Sequence, residues 1–180
     1  MVTSFYTSEE LHTLGFASLG ENIKVSRKTS IYGAENISIG NNVRIDDFCI
    51  LSGKIEIGSN IHISAYVALY GSGGIILEDN TGISPRSTVY SAMDDFSGDY
   101  LIGPIHPTEC TNVQKGIVII KKYSQIGTHS VIFPNVTIGE GCVVGAMTLV
   151  NKSLKEWGIY IGQPAKLLKK RNTELLRYIK

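Results

Sequence analysis

The residues best suited to moving a proton gather in one segment. Residues 91–116, SAMDDFSGDYLIGPIHPTECTNVQKG, hold the adjacent pair Asp94 and Asp95, His106 between Pro104 and Pro107, and Cys110. An imidazole there suits a hydroxyl nucleophile, which must lose its proton as it attacks, and such a base is worth about 10²–10⁴-fold. A carboxylate suits an amine, which needs orientation and a proton acceptor after attack. Beside these readings stand plainer ones, with Asp94 and Asp95 as turn residues in water and His106 in a loop merely stiffened by prolines. Cys110 has no assignable histidine partner and reads as inert. His12, His62 and His129 read as surface residues, and the four histidines give no zinc-ligand spacing, so no metal site is expected.

What must position this segment is a ladder. From Val25 to Val150 an aliphatic residue returns every six positions: Val25, Ile31, Ile39, Ile45, Leu51, Ile57, Ile63, Leu69, Leu77, Ile83 and Val89, then Ile120, Ile126, Ile132, Ile138, Val144 and Val150. Two steps, Ile31 to Ile39 and Leu69 to Leu77, are eight residues long, and 91–116 interrupts the ladder once. A period of six fits neither an α-helix nor a simple strand. It fits parallel coils, each too small to bury its own apolar face, which close a core by stacking. The position four after each rung is mostly small or β-branched, as in Thr29, Val43, Cys49, Val67, Ser87, Ser130 and Cys142, and reads as a second inward site. Ile55 and Ile61 are larger there and predict wider coils. The position directly after a rung is often Gly, as in Gly40, Gly58, Gly127, Gly139 and Gly145, which predicts corners with positive φ.

A chain of 180 residues with net charge +1 and 43% hydrophobic residues is an ordinary single-domain composition, without the basic excess of a non-specific nucleic-acid binder. Neither a signal segment nor a membrane span is visible, and a cytoplasmic protein is expected. Cys49 and Cys142 fall on inward positions and read as small core residues.

Thr7 and Glu10, three apart, form a capping box opening a short helix that plugs the first coil. At the other end 163–179 read as a helix, with Leu167, Leu168, Leu175, Leu176 and Ile179 on one face and Lys166, Lys169, Lys170, Arg171, Arg177 and Lys180 around it. The expected organisation is all-β: an N-terminal helical cap over 1–19, coils over 20–156 with the excursion loop 91–116, and a C-terminal segment with its helix over 157–180.

The ladder, IGTHSVIFPNVTIGEGCVVGAMTLV and the terminal IGQPAKLLKKR resemble the hexapeptide-repeat acyltransferases, which include galactoside, maltose and xenobiotic acetyltransferases. The resemblance implies a left-handed parallel β-helix, a homotrimer with active sites between subunits, and acetyl-CoA as co-substrate. It places Thr128, Gly145, Ala146, Asn151, Lys152, Lys166 and Lys169 near the CoA, and makes 91–116 an arm reaching a neighbour. Galactoside and maltose enzymes carry a histidine base shortly after an Ile-x-Pro; Ile83-Ser84-Pro85 is present here, but the matching position holds Asp94. With that histidine missing, the reading is N-acetylation of an amino sugar, free, nucleotide-linked or a polysaccharide precursor. The alternatives are O-acetylation with His106 as base, and a non-catalytic trimeric scaffold.

Overall fold

A computed structural model describes residues 4–179. Lys180 and residues 1–3 of the expected cap lie outside the described residues. The ladder folds into a parallel β-solenoid, a three-sided prism whose faces are each built from one strand per coil. Face 1 stacks Val25, Ile45, Ile63, Ile83, Ile126, Val144 and Tyr160 in register. Face 2 stacks Ile31, Leu51, Leu69, Val89, Ile132 and Val150. Face 3 stacks Leu19, Ile39, Ile57, Leu77, Ile120, Ile138 and, through an isolated bridge, Leu154. Every predicted rung is buried except Ile31, which is half-buried beside the first coils. Because side chains alternate along a strand, the residue before each rung points outward, as in the buried–exposed–buried pattern of Val43–Ile45.

The second inward row is buried too, from Thr29 to Thr148. Its serine hydroxyls are satisfied by the carbonyls of the next coil, Ser87 donating to Gly127 O at 2.8 Å, Ser124 to Gly139 O at 2.8 Å and Ser130 to Gly145 O at 2.9 Å, whereas Thr81 Oγ1 has no partner among the described residues. Ile55 falls at a register shift next to Gly53, as its size predicts, whereas Ile61 pairs regularly with Val43.

Positive φ does not fall at Gly40, Gly58, Gly127, Gly139 or Gly145, directly after the rungs. Among the described residues, all twelve non-glycine residues in the left-handed region, including Asn42, Phe48, Asn60, Tyr66, Arg86, His129 and Met147, sit three residues after a rung. Asparagine tolerates this region locally, and Asn22, Asn42 and Asn60 link their side chains down one corner at 2.9 and 3.1 Å. The glycines directly after rungs answer to closeness instead. A Cβ on Gly127 would lie 2.6 Å from Ala146 N, and one on Gly139 2.5 Å from Glu156 N.

Both eight-residue steps, at 33–36 and 71–74, and the excursion 91–116 leave the prism at the same corner, between faces 2 and 3. The expected C-terminal helix is not formed. Lys166–Lys170 is a strand running antiparallel to Gly158–Ile161, and only Glu174–Tyr178 winds into a short 3₁₀ helix. The last coil would otherwise end as an open strand edge. Gly162, at φ +98°, reverses the chain to cover it, and the pairing outweighs the helical propensity of the leucines and lysines. The coil also begins earlier than expected, since Ser18 and Leu19 already pair with Ser38 and Ile39. No helix among the described residues is long and apolar enough to cross a membrane.

The N-terminal helix is Ser8–Thr13, with Thr7 and Glu10 forming the reciprocal cap. Leu11 is buried, and Leu14 and Phe16 pack against the core, so the helix closes the first coil. Glu10 also pairs with Arg27, and that hydrogen bond foremost, with the Thr7 backbone, holds its carboxyl down to about 2 from an ordinary 4.5.

Two outcomes follow. Leu69→Ala, at a wholly buried rung, costs about 2–5 kcal/mol of unfolding free energy in a denaturant titration. A carboxylate whose pKa falls on folding stabilises above its unfolded pKa and ceases to do so as pH drops through the folded value. Acid titration of the wild type therefore loses stability between about 4.5 and about 2 at this helix, and Glu10→Gln flattens that part of the curve.

Candidate active site

The excursion is a folded arm. Ala92–Asp94 pairs antiparallel with Val113–Lys115, and Gly116 N–H returns to Ser91 O at 2.9 Å to close its root. Asp95 is spent on this hairpin. It accepts from Ser97 N–H at 2.8 Å and from Asn112 Nδ2 at 2.7 Å, while its own N–H donates to Asn112 O. The Ser97 backbone bond foremost holds its carboxyl below the usual range. Asp94, next to it and opposite Val113, is half-buried with no protein partner, so its carboxylate is available. His106 lies out on the arm, half-buried and unpartnered, beside Ile105, which is 86% exposed. Phe96, Leu101 and Ile102 are likewise exposed there. The three candidates are thus separated in role: one structural, one free carboxylate at the arm's root, one free imidazole further out.

The CoA candidates divide between two corners of the prism. Thr128, Gly145 and Ala146 lie where face 1 turns into face 2. There the Thr128 hydroxyl donates to Pro85 O at 2.6 Å, and Gly145 N–H donates to Tyr160 O at 2.8 Å. A Cβ on Gly145 would meet Ile161 Cγ2 at 2.7 Å, so coil stacking accounts for that glycine. Asn151 and Lys152, both exposed, lie across face 2 at the arm's corner. Asn151 shares a cleft of about 290 Å³ with Met93, Gln114, Phe133 and Asn135, which brings it to the root of the arm near Asp94. Lys166 and Lys169 project from the terminal strand, opposite Ile161 and Ile159.

A second polar site, on face 1, was not anticipated. His62, Gly82 and Gln125 are register partners in three successive coils, and Gly82 leaves a notch between the other two. The depression holds about 380 Å³ and is lined by Asn60, His62, Ser64, Asn80, Thr81, Ser84 and Gln125. His62 Nε2 meets Asp46 Oδ2 at 2.7 Å, and Arg44 Nε donates to Asp46 Oδ1 at 2.7 Å. Partial burial alone would raise the Asp46 carboxyl, but the bonds from Arg44 and His62 outweigh it and hold it below the usual range. In the sequence His62 looks like any outward residue before a rung; only Gly82, breaking the row Arg44, His62, Gln125, hints at a notch.

No profile of a known protein family matches the chain. An Escherichia coli dTDP-4-amino-4,6-dideoxy-D-glucose acyltransferase is 42% identical over 170 residues, covering 93% of this chain and 88% of that protein. Solved structures of AntD, an N-acyltransferase from Bacillus cereus, superpose with a TM-score of 0.96 at 54% identity. One, the S84C variant with dTDP-4-amino-4,6-dideoxyglucose and coenzyme A, covers 99% of this chain and 96% of AntD. Another holds dTDP and 3-hydroxybutyryl-CoA and covers 98% and 95%. A Vibrio cholerae hexapeptide-repeat acetyltransferase, at 21% identity and a TM-score of 0.62 over 88% of this chain and 73% of that one, shares the fold alone. The chain belongs to the hexapeptide-repeat acyltransferases, in the branch that N-acylates amino sugars. It is a CoA-dependent transferase, and the scaffold alternative falls away.

Asp95 and Asp94 are separable by mutation. Asp95→Ala removes the acceptor for Ser97 and Asn112, so limited proteolysis within 96–104 accelerates while the melting of the coils stays unchanged. Asp94→Ala leaves the proteolysis rate at the wild-type value.

Proposed function

We propose that this enzyme transfers the acyl group of acetyl-CoA to the amine of a dTDP-linked 4-amino-4,6-dideoxy sugar. The observation that carries the reading is the 54% identity, over nearly the whole chain, to an N-acyltransferase solved with that amino sugar and coenzyme A. AntD has also been solved as S84A, S84C, S84T, D94A and D94N variants. This chain too carries serine at 84 and aspartate at 94. Ser84 and Asp94 are therefore the residues we assign to the acceptor. Asp94, free of protein partners, holds and orients the amine; the Ser84 hydroxyl, at the edge of the face 1 depression, hydrogen-bonds near the reacting centre.

Ser84 lies at the end of face 1, whereas Asp94 lies beyond face 2, at the root of the arm. A site using both takes them from different copies, which agrees with a homotrimer. After the exposed Ser30, the outward row of face 2 is Ile50, Ala68, Thr88, Val131 and Leu149, all half-buried, bordered by the stacked pairs Phe48–Tyr66 and Tyr70–Tyr90 with ring centroids 4.9 and 5.3 Å apart. Outward on face 1 stand Lys24, Arg44, His62, Gln125, Val143 and Ile159, and on face 3 Ser38, Glu56, Ile76, Ile119 and Thr137, so apolar residues there are interrupted by polar ones. Face 2 is the apolar face that neighbours would cover, and the exposed apolar residues of the arm would then pack on the next copy. Thr128, Gly145 and Ala146 from one copy and Asn151 and Lys152 from another would flank the CoA, with Lys166 and Lys169 meeting its phosphates. We read the enzyme as cytoplasmic, with its product serving surface-polysaccharide assembly.

The test is thiol release from acetyl-CoA with dTDP-4-amino-4,6-dideoxyglucose. Turnover is expected with the wild type, and Asp94→Asn lowers it about 10²-fold or more while acetyl-CoA still raises the melting temperature. Lys152→Ala with Lys166→Ala weakens that thermal shift. Turnover of the corresponding 4-hydroxy sugar with His106 as base, lost in His106→Ala, would instead establish the O-transfer alternative. Sedimentation gives a trimer for the wild type and smaller species for Val131→Glu.

A further inference from the structure

We infer that His62, at the edge of the Gly82 notch, is the proton acceptor for the attacking amine, held in the reactive tautomer by Asp46 of the preceding coil. This rests on the reading that the acceptor binds beside Ser84. Four observations carry it. First, His62 and Ser84 line the same depression, His62 as the register partner of Gly82 and Ser84 two residues beyond Gly82 in the same coil. Second, Gly82 is not required by coil stacking. A Cβ there would meet only the mobile end of Gln125, Oε1 at 2.4 Å, whereas at Gly127 or Gly139 it would strike the backbone of the next coil.

Third, the polar groups around the notch are left open. Ser64, Ser84, Asn80 and Gln125 have no side-chain hydrogen bond to protein, and Thr81 Oγ1 is the one buried side-chain polar atom without a partner among the described residues. Fourth, the contact to Asp46 decides the tautomer. An ionised carboxylate only accepts, so in the neutral ring Nε2 carries the hydrogen and the lone pair falls on Nδ1, which has no protein partner. The charged groups in contact with His62 are Asp46 directly and, through Asp46, Arg44.

The chemistry balances. The neutral amine nitrogen forms a bond to the thioester carbonyl carbon, and the C–S bond breaks with its electron pair on sulfur. The nitrogen proton passes to His62 Nδ1 while Nε2–H remains donated to Asp46. That proton then leaves to the CoA thiolate, giving amide and free thiol with no further reactant.

The test uses the full-length enzyme with acetyl-CoA and dTDP-4-amino-4,6-dideoxyglucose. His62→Ala lowers kcat about 10²-fold with KM for the amino sugar and the acetyl-CoA thermal shift unchanged, and added imidazole restores turnover saturably. His62→Gln, whose amide still donates to Asp46 but has no basic lone pair, is as slow as the alanine variant. Gly82→Ala fills the notch and raises KM for the amino sugar at least tenfold. A wild-type-like kcat in His62→Gln, a loss that imidazole does not restore, or an unchanged KM in Gly82→Ala would overturn the assignment while leaving the transferase intact. Absence of turnover in the wild type would overturn both readings.

Discussion

The structure depends on the approach of one coil to the next. Successive coils lie at the strand spacing of about 4.8 Å, so each must present to its neighbour a flat apolar section and a complete set of backbone donors and acceptors. One aliphatic rung on each of the three faces fills the section. A small or β-branched second row completes it, with hydroxyls turned onto the neighbouring coil's carbonyls. The same closeness fixes Gly40, Gly127 and Gly139 after the rungs, where a Cβ would enter the next coil's backbone. It leaves the outward face positions and the corners, three residues after a rung, free to carry long side chains.

That constraint also explains where irregularity is tolerated. An insertion into a face would break the ladders on both sides of it, whereas one at a corner lengthens a loop in solvent. All departures use one corner, so the small bumps at 33–36 and 71–74 and the arm 91–116 form a single rim beside face 2. Closing the two ends requires different devices. The N-terminal helix lays Leu11 over the first coil, and the C-terminal strand pairs with the last.

The prism was readable in the sequence because its signal is repeated: seventeen rungs agree with one another, and no single residue decides. The arm was readable as the one long break in that agreement. The C-terminal strand was not, since Lys166–Lys170 has helical composition and is ordered by an edge only the folded coil presents. The partition of Asp94 from Asp95 was equally hidden. It turns on Asn112 and Ser97, which chain order does not mark as partners. The notch on face 1 was missed for a related reason: His62 and Gly82 are twenty residues apart, and only coil register makes them neighbours.

The cluster on face 1 has no sufficient explanation in stability. Exposed ion pairs such as those of Asp46 contribute about 0–1 kcal/mol, and a glycine inside a strand weakens it. At Gly82 the chain gives up a side chain that stacking would permit, and around it several polar groups lack partners. Local rules broken together in one place mark function more often than accident. An amine acceptor makes the location intelligible. Arm histidines in hydroxyl-acylating relatives must activate a weak nucleophile at the moment of attack; an amine attacks unaided and releases its proton afterwards. The carboxylate that orients it and the base that collects its proton can then stand on separate elements. In that reading one stands at the root of the arm and the other is fixed in a coil face before any substrate binds.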